Sequence, residues 1–444
     1  MKRAPTALLQ SSPTVVVLLL RALYSPLSNS SVFGRDTFQI ACKYRGVRTG
    51  LYIHFPYCIH KCGYCDFNSW AETARAPQEA WLETLERQME FWSARWKSLP
   101  VEIETIFFGG GTPSLMENDL LVKTGEAVRR HFLLAPNFEW TFECNPETIT
   151  PEKIEALRTA GATRLSVGIQ SFQDRHLERL ERRARRGDNI RALETLKKHW
   201  SGPWSLDLMF GLPGQNLAEW NDELAMVRHF SPGHVSAYQL TLTTLRSQNW
   251  QQAPEDDLLE MFDRTEEALA EQGLKKYETS NFARKDEACR HNLRYWNLES
   301  FLGLGPGASG LLSQKLFPDA KARYGVHQKQ PDRWDTWQKH AGNADSEMSA
   351  LTSRTPFQHL EEMLMMGLRL ESGISAHRLG DWNQTFFDLV SESQYRDFIE
   401  YDNECWKVTP RGARTLDSLL SRLFKDLEKR GLGDLDSREI DPKF

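Results

Sequence analysis

Leu51-Tyr-Ile-His-Phe-Pro56-Tyr-Cys58-Ile-His-Lys-Cys62-Gly-Tyr-Cys65 runs from a β-branched and aromatic segment straight into three closely spaced cysteines. A loop of this length can wrap one face of a metal cubane, whereas a helix or strand points some of the thiols away. Iron–sulfur clusters are held by cysteine thiolates and four complete a cubane, so three leave one iron open to an outside chelate. The amine and carboxylate of an amino acid suit that vacancy. Zinc is the competing reading: a structural zinc site takes four ligands, and His54 or His60 can supply the fourth.

Outward from this stretch, strand-like segments recur with helical patterns between them. They are Leu51–Pro56, Ile103–Phe108, Trp140–Cys144, Arg164–Ile169, Ser205–Phe210 and Val235–Leu242. Most end in Gly, Pro, Asn or Ser, as strands do. Trp81, Leu85, Met89, Trp92 and Trp96 form one helical apolar stripe. Further helices are predicted from near Asp119, from near Pro151 and over Asp174 to Trp200, the last with Leu177, Leu180, Leu193 and Leu196 inside and its basic residues on a solvated face. The alternation predicts an α/β protein of parallel βα units. An open, partial (β/α)6 barrel is one arrangement, and a flat doubly wound sheet is the other.

The strand ends carry ligand-competent groups. The second ends in Gly109-Gly110-Gly111-Thr112-Pro113 and the third in Glu143-Cys144-Asn145-Pro146. The fourth ends in Gln170-Ser171-Phe172, and the fifth carries Asp207 ahead of Gly211-Leu212-Pro213-Gly214. Barrel ligands collect at the carboxyl ends of strands, so five consecutive ends of this kind favour a shared site over zinc alone.

The rest divides by pattern. Residues 1–50 hold seven basic residues against the single acid Asp36, with six serines, the composition of an organelle transit peptide. Mitochondrion is the expected destination, ahead of plastid or cytoplasm; a secretory h-region and a disordered tail are the alternatives. Residues 51–245 form the barrel and residues 246–350 its extension, in which 255–310 read as one helix followed by Gly-rich loops. Residues 351–444 form a smaller, mostly helical C-terminal domain, with a winged-helix-like strand and helix at Trp406–Pro410 and Arg414–Leu423. The longest apolar run, Val15–Leu20, is too short to span a bilayer. A net charge of −5 gives no argument for nucleic acid. Seven cysteines at uneven spacing argue against a disulfide framework.

Together these motifs resemble the radical S-adenosylmethionine superfamily, and within it the HemW branch of haem chaperones, related to oxygen-independent coproporphyrinogen III oxidase. The resemblance runs from about Tyr52 to about Leu423. It implies a [4Fe-4S] cluster on Cys58, Cys62 and Cys65, and S-adenosylmethionine contacts from Tyr52, Gly110, Gly111 and Thr112. Glu143 matches the carboxylate that accepts an ammonium group, and Gln170 and Asp207 match positions at the nucleoside end. Arg182 matches an arginine facing the methionine carboxylate; the plain alternative is a surface charge on a basic helix.

The oxidase pattern has a fourth cysteine where this chain has Phe67. His291-Asn-Leu-Arg-Tyr295-Trp296 matches the His-Asn-x-x-Tyr-Trp signature associated with haem in HemW. The resemblance therefore implies haem as a cofactor, with His291 as ligand and Tyr295 and Trp296 stacked on the macrocycle; a packed histidine is the plain alternative. Implied partners are haem, recipient haemoproteins, a reductant protein and a second copy in a homodimer that depends on the cluster. Haem chaperone is the expected function and coproporphyrinogen oxidase the alternative. The chain departs from the family at Ser309 (usually His), at Thr243 to Arg246, and at Glu181 and Ala184 (usually Gly and His). Tyr277 to Phe282 keep the branch pattern, on an extension expected to cover the open barrel.

Overall fold

The computed structural model describes residues 46–242, 250–251, 253–317, 323–392 and 394–432. The leader expected over 1–50 therefore lies outside the described residues up to position 45, as does the departure at Thr243 to Arg246. The first strand is Val47–Phe55 (β1), beginning ahead of the apolar run that predicts it. Its early residues are held by register rather than hydrophobicity: Val47 pairs with Val101, and the Ser300 carbonyl accepts bonds from Thr49 Oγ1 and Gly50 N–H, both at 3.0 Å.

Val101–Gly110 (β2), Leu134–Cys144 (β3), Arg164–Gln170 (β4), Trp204–Phe210 (β5) and His234–Gln239 (β6) follow β1 side by side in chain order, all parallel. A doubly wound sheet reverses its strand order at a switch point; this one does not, so the partial barrel is the arrangement adopted. Alternation decides the two faces of each strand. Leu51, Ile53, Ile106, Phe108, Trp140 and Phe142 join the apolar core under the helices. The alternating Tyr52, Thr105, Phe107, Glu143, Ser166 and Asp207 meet one another inside the barrel.

Arg75–Arg95 (α1) carries the predicted stripe: Trp81, Leu85, Met89 and Trp92 are fully buried, each contributing about 2 kcal/mol or more. Asn118–His131 (α2) and Pro151–Ala160 (α3) start as predicted. The stretch Asp174 to Trp200 is two helices rather than one, Asp174–Arg179 (α4) and Arg186–His199 (α5). The break comes at Glu181, whose φ of 57° ends the first helix and stands where the family has glycine. The four predicted leucines are nonetheless fully buried.

The reading of 255–310 as one helix and loops also needs correction. Glu255–Ala270 (α6) is that helix, but Lys275–Lys276 (β7) and Asn281–Ala283 (β8) then extend the sheet beyond β6. Phe301–Leu304 (β9) pairs parallel with β1, and Ser309–Leu312 (β10), Val326–Lys329 (β11) and Leu351–Ser353 (β12) continue that edge. Strands of two to four residues are too short to show a period of two. Past them, Pro356–Gly367 (α8) and Leu416–Leu427 (α9) pack over a three-stranded sheet around Trp406 and Leu423, a second core. Between β8 and β9 lies the short helix Arg290–Trp296 (α7). Among the described residues, no helix is long and apolar enough to cross a membrane.

Candidate functional site

Cys58 lies in a two-residue strand, Tyr57–Cys58, that pairs with Trp70–Ala71; Cys62 and Cys65 occupy the turn between. The turn is sewn down by its neighbours. Cys65 N–H donates to Cys62 O at 3.2 Å, and Lys61 Nζ donates to Phe67 O at 2.9 Å and Ser69 O at 3.2 Å. Asn68 Nδ2 donates to Pro306 O at 3.1 Å and Asp332 O at 2.9 Å. His54 Nε2 donates to Asn68 O at 2.7 Å, which leaves Nδ1 to accept from Tyr52 OH at 2.9 Å. With both nitrogens engaged and only 4% exposed, His54 is not open as a fourth metal ligand.

Burial first, then the neighbouring Cys62, raises the Cys58 thiol and takes the Cys65 thiol up to about 11. Thiols that repel one another in this way call for a cation, which deprotonates them on binding. Among the described residues, no three His, Cys, Asp or Glu side chains converge to hold a single ion; a cubane instead seats each cysteine on a different iron. The donor set fits a cluster.

The Gly-rich end of β2 closes against this loop. Gly111 N–H donates to Phe55 O at 2.6 Å and Thr112 N–H to Tyr57 O at 2.8 Å. A Cβ on Gly110 (φ 109°) would stand 2.5 Å from His54 Cε1, and one on Gly111 2.6 Å from Tyr57 O, so only glycine fits either position. Thr112 Oγ1 lies 3.6 Å from Cys58 Sγ. Glu143 Oε2 accepts from Gly110 N–H at 3.1 Å, and among the described residues this carboxylate has no ion pair. Burial, then Asp207, pushes it up to about 8, against the pull of the Gly110 N–H.

Arg182 lies in the break between α4 and α5 and is buried, not on a solvated helix face. Nη2 donates to Asn145 Oδ1 at 3.1 Å and Gly168 O at 2.5 Å, and Nη1 lies 3.9 Å from Cys62 Sγ. Its Nε is buried without a partner. A carboxylate lacking a cation and a guanidinium beside Cys62 thus flank Asn145, a pair suited to the amino and carboxylate groups of an amino acid. The residues present fit S-adenosylmethionine.

Gln170 ends β4 at φ 67° after a bulge, turning its amide towards Asn145 and Arg182. Tyr52 stacks on Phe107 at 6.4 Å. Asp207 sits deeper, in mid-strand, accepting from Ser166 Oγ at 2.8 Å and Ser205 Oγ at 2.9 Å. Asn145, which joins Thr112 to Arg182, was not singled out by sequence reasoning; the only signal for it is the Glu-x-Asn-Pro motif.

Glu143→Gln makes a prediction with a definite sign. Because the folded pKa is raised, the native state holds the extra proton between about pH 4.5 and 8, and stability falls as pH rises through that window. The variant without ligand is therefore expected to be more stable than the parent at pH 8. Its midpoint rises in differential scanning while S-adenosylmethionine affinity collapses in calorimetry. An unchanged midpoint at pH 8 would show Glu143 to be fully hydrated.

His291 is held differently from an open haem ligand. Its Nδ1 bonds Thr105 Oγ1 at 2.8 Å and its Nε2 bonds Tyr295 OH at 2.7 Å, with no exposure. The N–H groups of Arg290 and His291 donate to Glu139 at 3.2 and 3.1 Å, docking α7 inside the barrel away from the strand ends. Burial, then Arg294, lowers the imidazole to about 3. As it stands, neither ring nitrogen nor the Tyr295 hydroxyl is free for a macrocycle or its iron.

Residues 52–227 match the radical SAM superfamily and residues 355–414 the HemN C-terminal domain. The mitochondrial radical S-adenosyl methionine domain-containing protein 1 of Bos taurus is 33% identical over 86% of this chain and 88% of its own. The heme chaperone HemW of Escherichia coli is 36% identical over 83% and 96%. In structure, the coproporphyrinogen III oxidase HemN of Escherichia coli superposes with a TM-score of 0.71 at 18% identity, over 92% of this chain and 98% of that one, a likeness of fold. With cysteines, glycines, carboxylate and arginine gathered at one barrel mouth and relatives of this identity along most of its length, the chain belongs to the HemW family of radical SAM proteins.

Proposed function

We propose that this chain is a mitochondrial haem chaperone. It holds a [4Fe-4S] cluster on Cys58, Cys62 and Cys65, binds S-adenosylmethionine beside it, and delivers haem to haemoproteins. The reading rests on one observation: the cysteine loop is sewn against strand ends that carry the Glu143 carboxylate, without an ion pair among the described residues, and the Arg182 guanidinium beside Cys62. Relatives named as haem chaperones support the haem assignment, and relatives named as mitochondrial support the location.

Within this reading each residue has a task. Glu143 accepts from the amino group of the methionine moiety and Arg182 donates to its carboxylate. Gly110, Gly111 and Thr112 let the backbone approach, while Tyr52, Gln170 and Asp207 line the nucleoside end. A [4Fe-4S] cluster held on these cysteines would supply one-electron chemistry to the sulfonium of a bound S-adenosylmethionine, with a reductant protein as the electron source. The His291 geometry does not fit an axial ligand without releasing Tyr295 or Thr105, so haem entry is assigned to no residue here.

Anaerobically reconstituted protein is expected to be brown with about four irons per chain, to give a Soret band with haemin, and to elute as a dimer only with its cluster. Given coproporphyrinogen III, reductant and S-adenosylmethionine, it is expected to form no protoporphyrinogen. Phe67 stands 55% exposed where the oxidase pattern has its fourth cysteine. Turnover in that assay would replace the chaperone with the oxidase.

A further inference from the structure

We infer that Asn145 fixes the direction of the Thr112 hydroxyl so that its proton points at Cys58 Sγ, and thereby raises the reduction potential of the cluster. The inference rests on the proposal that Cys58, Cys62 and Cys65 hold one. Arg182 can only donate, so the Asn145 atom 3.1 Å from Nη2 must be the amide oxygen. The amide nitrogen then faces Thr112 Oγ1 at 2.9 Å and donates to it. A hydroxyl has one proton. With a lone pair occupied by Asn145, the proton of Thr112 is left for Cys58 Sγ at 3.6 Å.

Donation therefore runs one way, from Arg182 to Asn145 to Thr112 to the sulfur. The other arm of Arg182, Nη1, approaches Cys62 Sγ, so the two ends of this relay address two of the three thiolates. The Asn145 main chain is fixed beside it. Its N–H donates to Ser114 Oγ at 3.2 Å, and its carbonyl accepts from Thr148 Oγ1 at 2.7 Å and Thr148 N–H at 3.0 Å. A donor on a cluster sulfur favours the electron-rich reduced form, and hydrogen bonds to the sulfurs are among the determinants of potential. Asn145 touches neither sulfur and is a positioning residue.

The test is an anaerobic redox titration, followed by electron paramagnetic resonance, on full-length reconstituted protein without S-adenosylmethionine. Thr112→Val is expected to lower the reduced-to-oxidised ratio at fixed potential about tenfold, ~59 mV for one electron; Thr112→Ser keeps the hydroxyl and the parent potential. Asn145→Asp offers Thr112 an acceptor, turns the hydroxyl around, and also adds charge. Its shift is expected to be larger in the parent than in the Thr112→Val background, where only the charge effect remains. Equal shifts in both backgrounds, or an unmoved potential in Thr112→Val, would overturn the inference. Parent protein that reconstitutes without iron or sulfide would instead remove the cluster reading beneath it. Should Asn145→Asp fail to fold, the Val and Ser pair alone decides whether Thr112 donates to the sulfur.

Discussion

Cys62→Ala protein, reconstituted anaerobically with iron and sulfide, is expected to emerge colourless and without measurable affinity for S-adenosylmethionine, yet folded like the parent. The Cys62 thiol is partly exposed and its nearest polar side-chain contact is Arg182 at 3.9 Å. The loop keeps its shape through Lys61, Asn68 and His54, whose bonds do not involve the thiol. A surface substitution of this kind moves stability by about 0.5 kcal/mol or less. Losing one of three thiolates is a far larger change for the metal. Losing even an outer-shell partner costs about 10–100-fold in affinity, and a ligand itself costs more. Affinity for S-adenosylmethionine follows, because the open iron exists only while the cubane does. Cys144→Ala is the control: that thiol is buried away from the cysteine loop, 3.8 Å from the Phe142 carbonyl and bonded with Ser114, so its loss is expected to lower the thermal midpoint and leave the colour. Iron and sulfide analysis with calorimetry checks both, and a brown Cys62→Ala protein that binds S-adenosylmethionine would end the coordination argument.

The same local-versus-tertiary divide explains what was legible from residues alone. The barrel strands read clearly because Leu51, Ile53, Ile106, Phe108 and their like must be apolar to sit under helices, and that requirement falls on alternate positions of each strand. Site residues that announce their chemistry, such as the three cysteines and the glycines of β2, read equally clearly. Arg182 was ambiguous because a run of arginines looks solvated; what buries it is the turn at Glu181, which breaks α4 from α5. Short strands such as β9 and β8 stayed hidden, since their strand character comes from the neighbours they pair with and not from their own pattern. Asn145 is marked only by its motif, and its role is not legible there: that role lies in two distances, to Thr112 and to Arg182, that no spacing along the chain encodes.

His291 is where motif and geometry diverge most, and His291→Ala separates them. The imidazole packs against Phe107 and Phe301, and Thr105 and Tyr295 both spend hydrogen bonds on it. Truncation opens a cavity and strands two buried hydroxyls, a loss of about 3 kcal/mol or more, read as a fall in thermal midpoint. Acid response adds a second readout. The folded pKa is lowered to about 3, so the unfolded chain binds the extra proton between about pH 6.5 and 3, and the parent loses this stability as pH falls through that window. The variant should therefore show a shallower acid dependence. Haemin then decides the role. If α7 is a structural plug, the variant that remains folded keeps a parental Soret band, because the imidazole was never available to iron. If the band disappears while the midpoint barely moves, His291 is the axial ligand, and α7 must leave Thr105, Tyr295 and Glu139 to present it. In that case, haem binding and exposure of the lower barrel would be one event, and α7 the element that couples them.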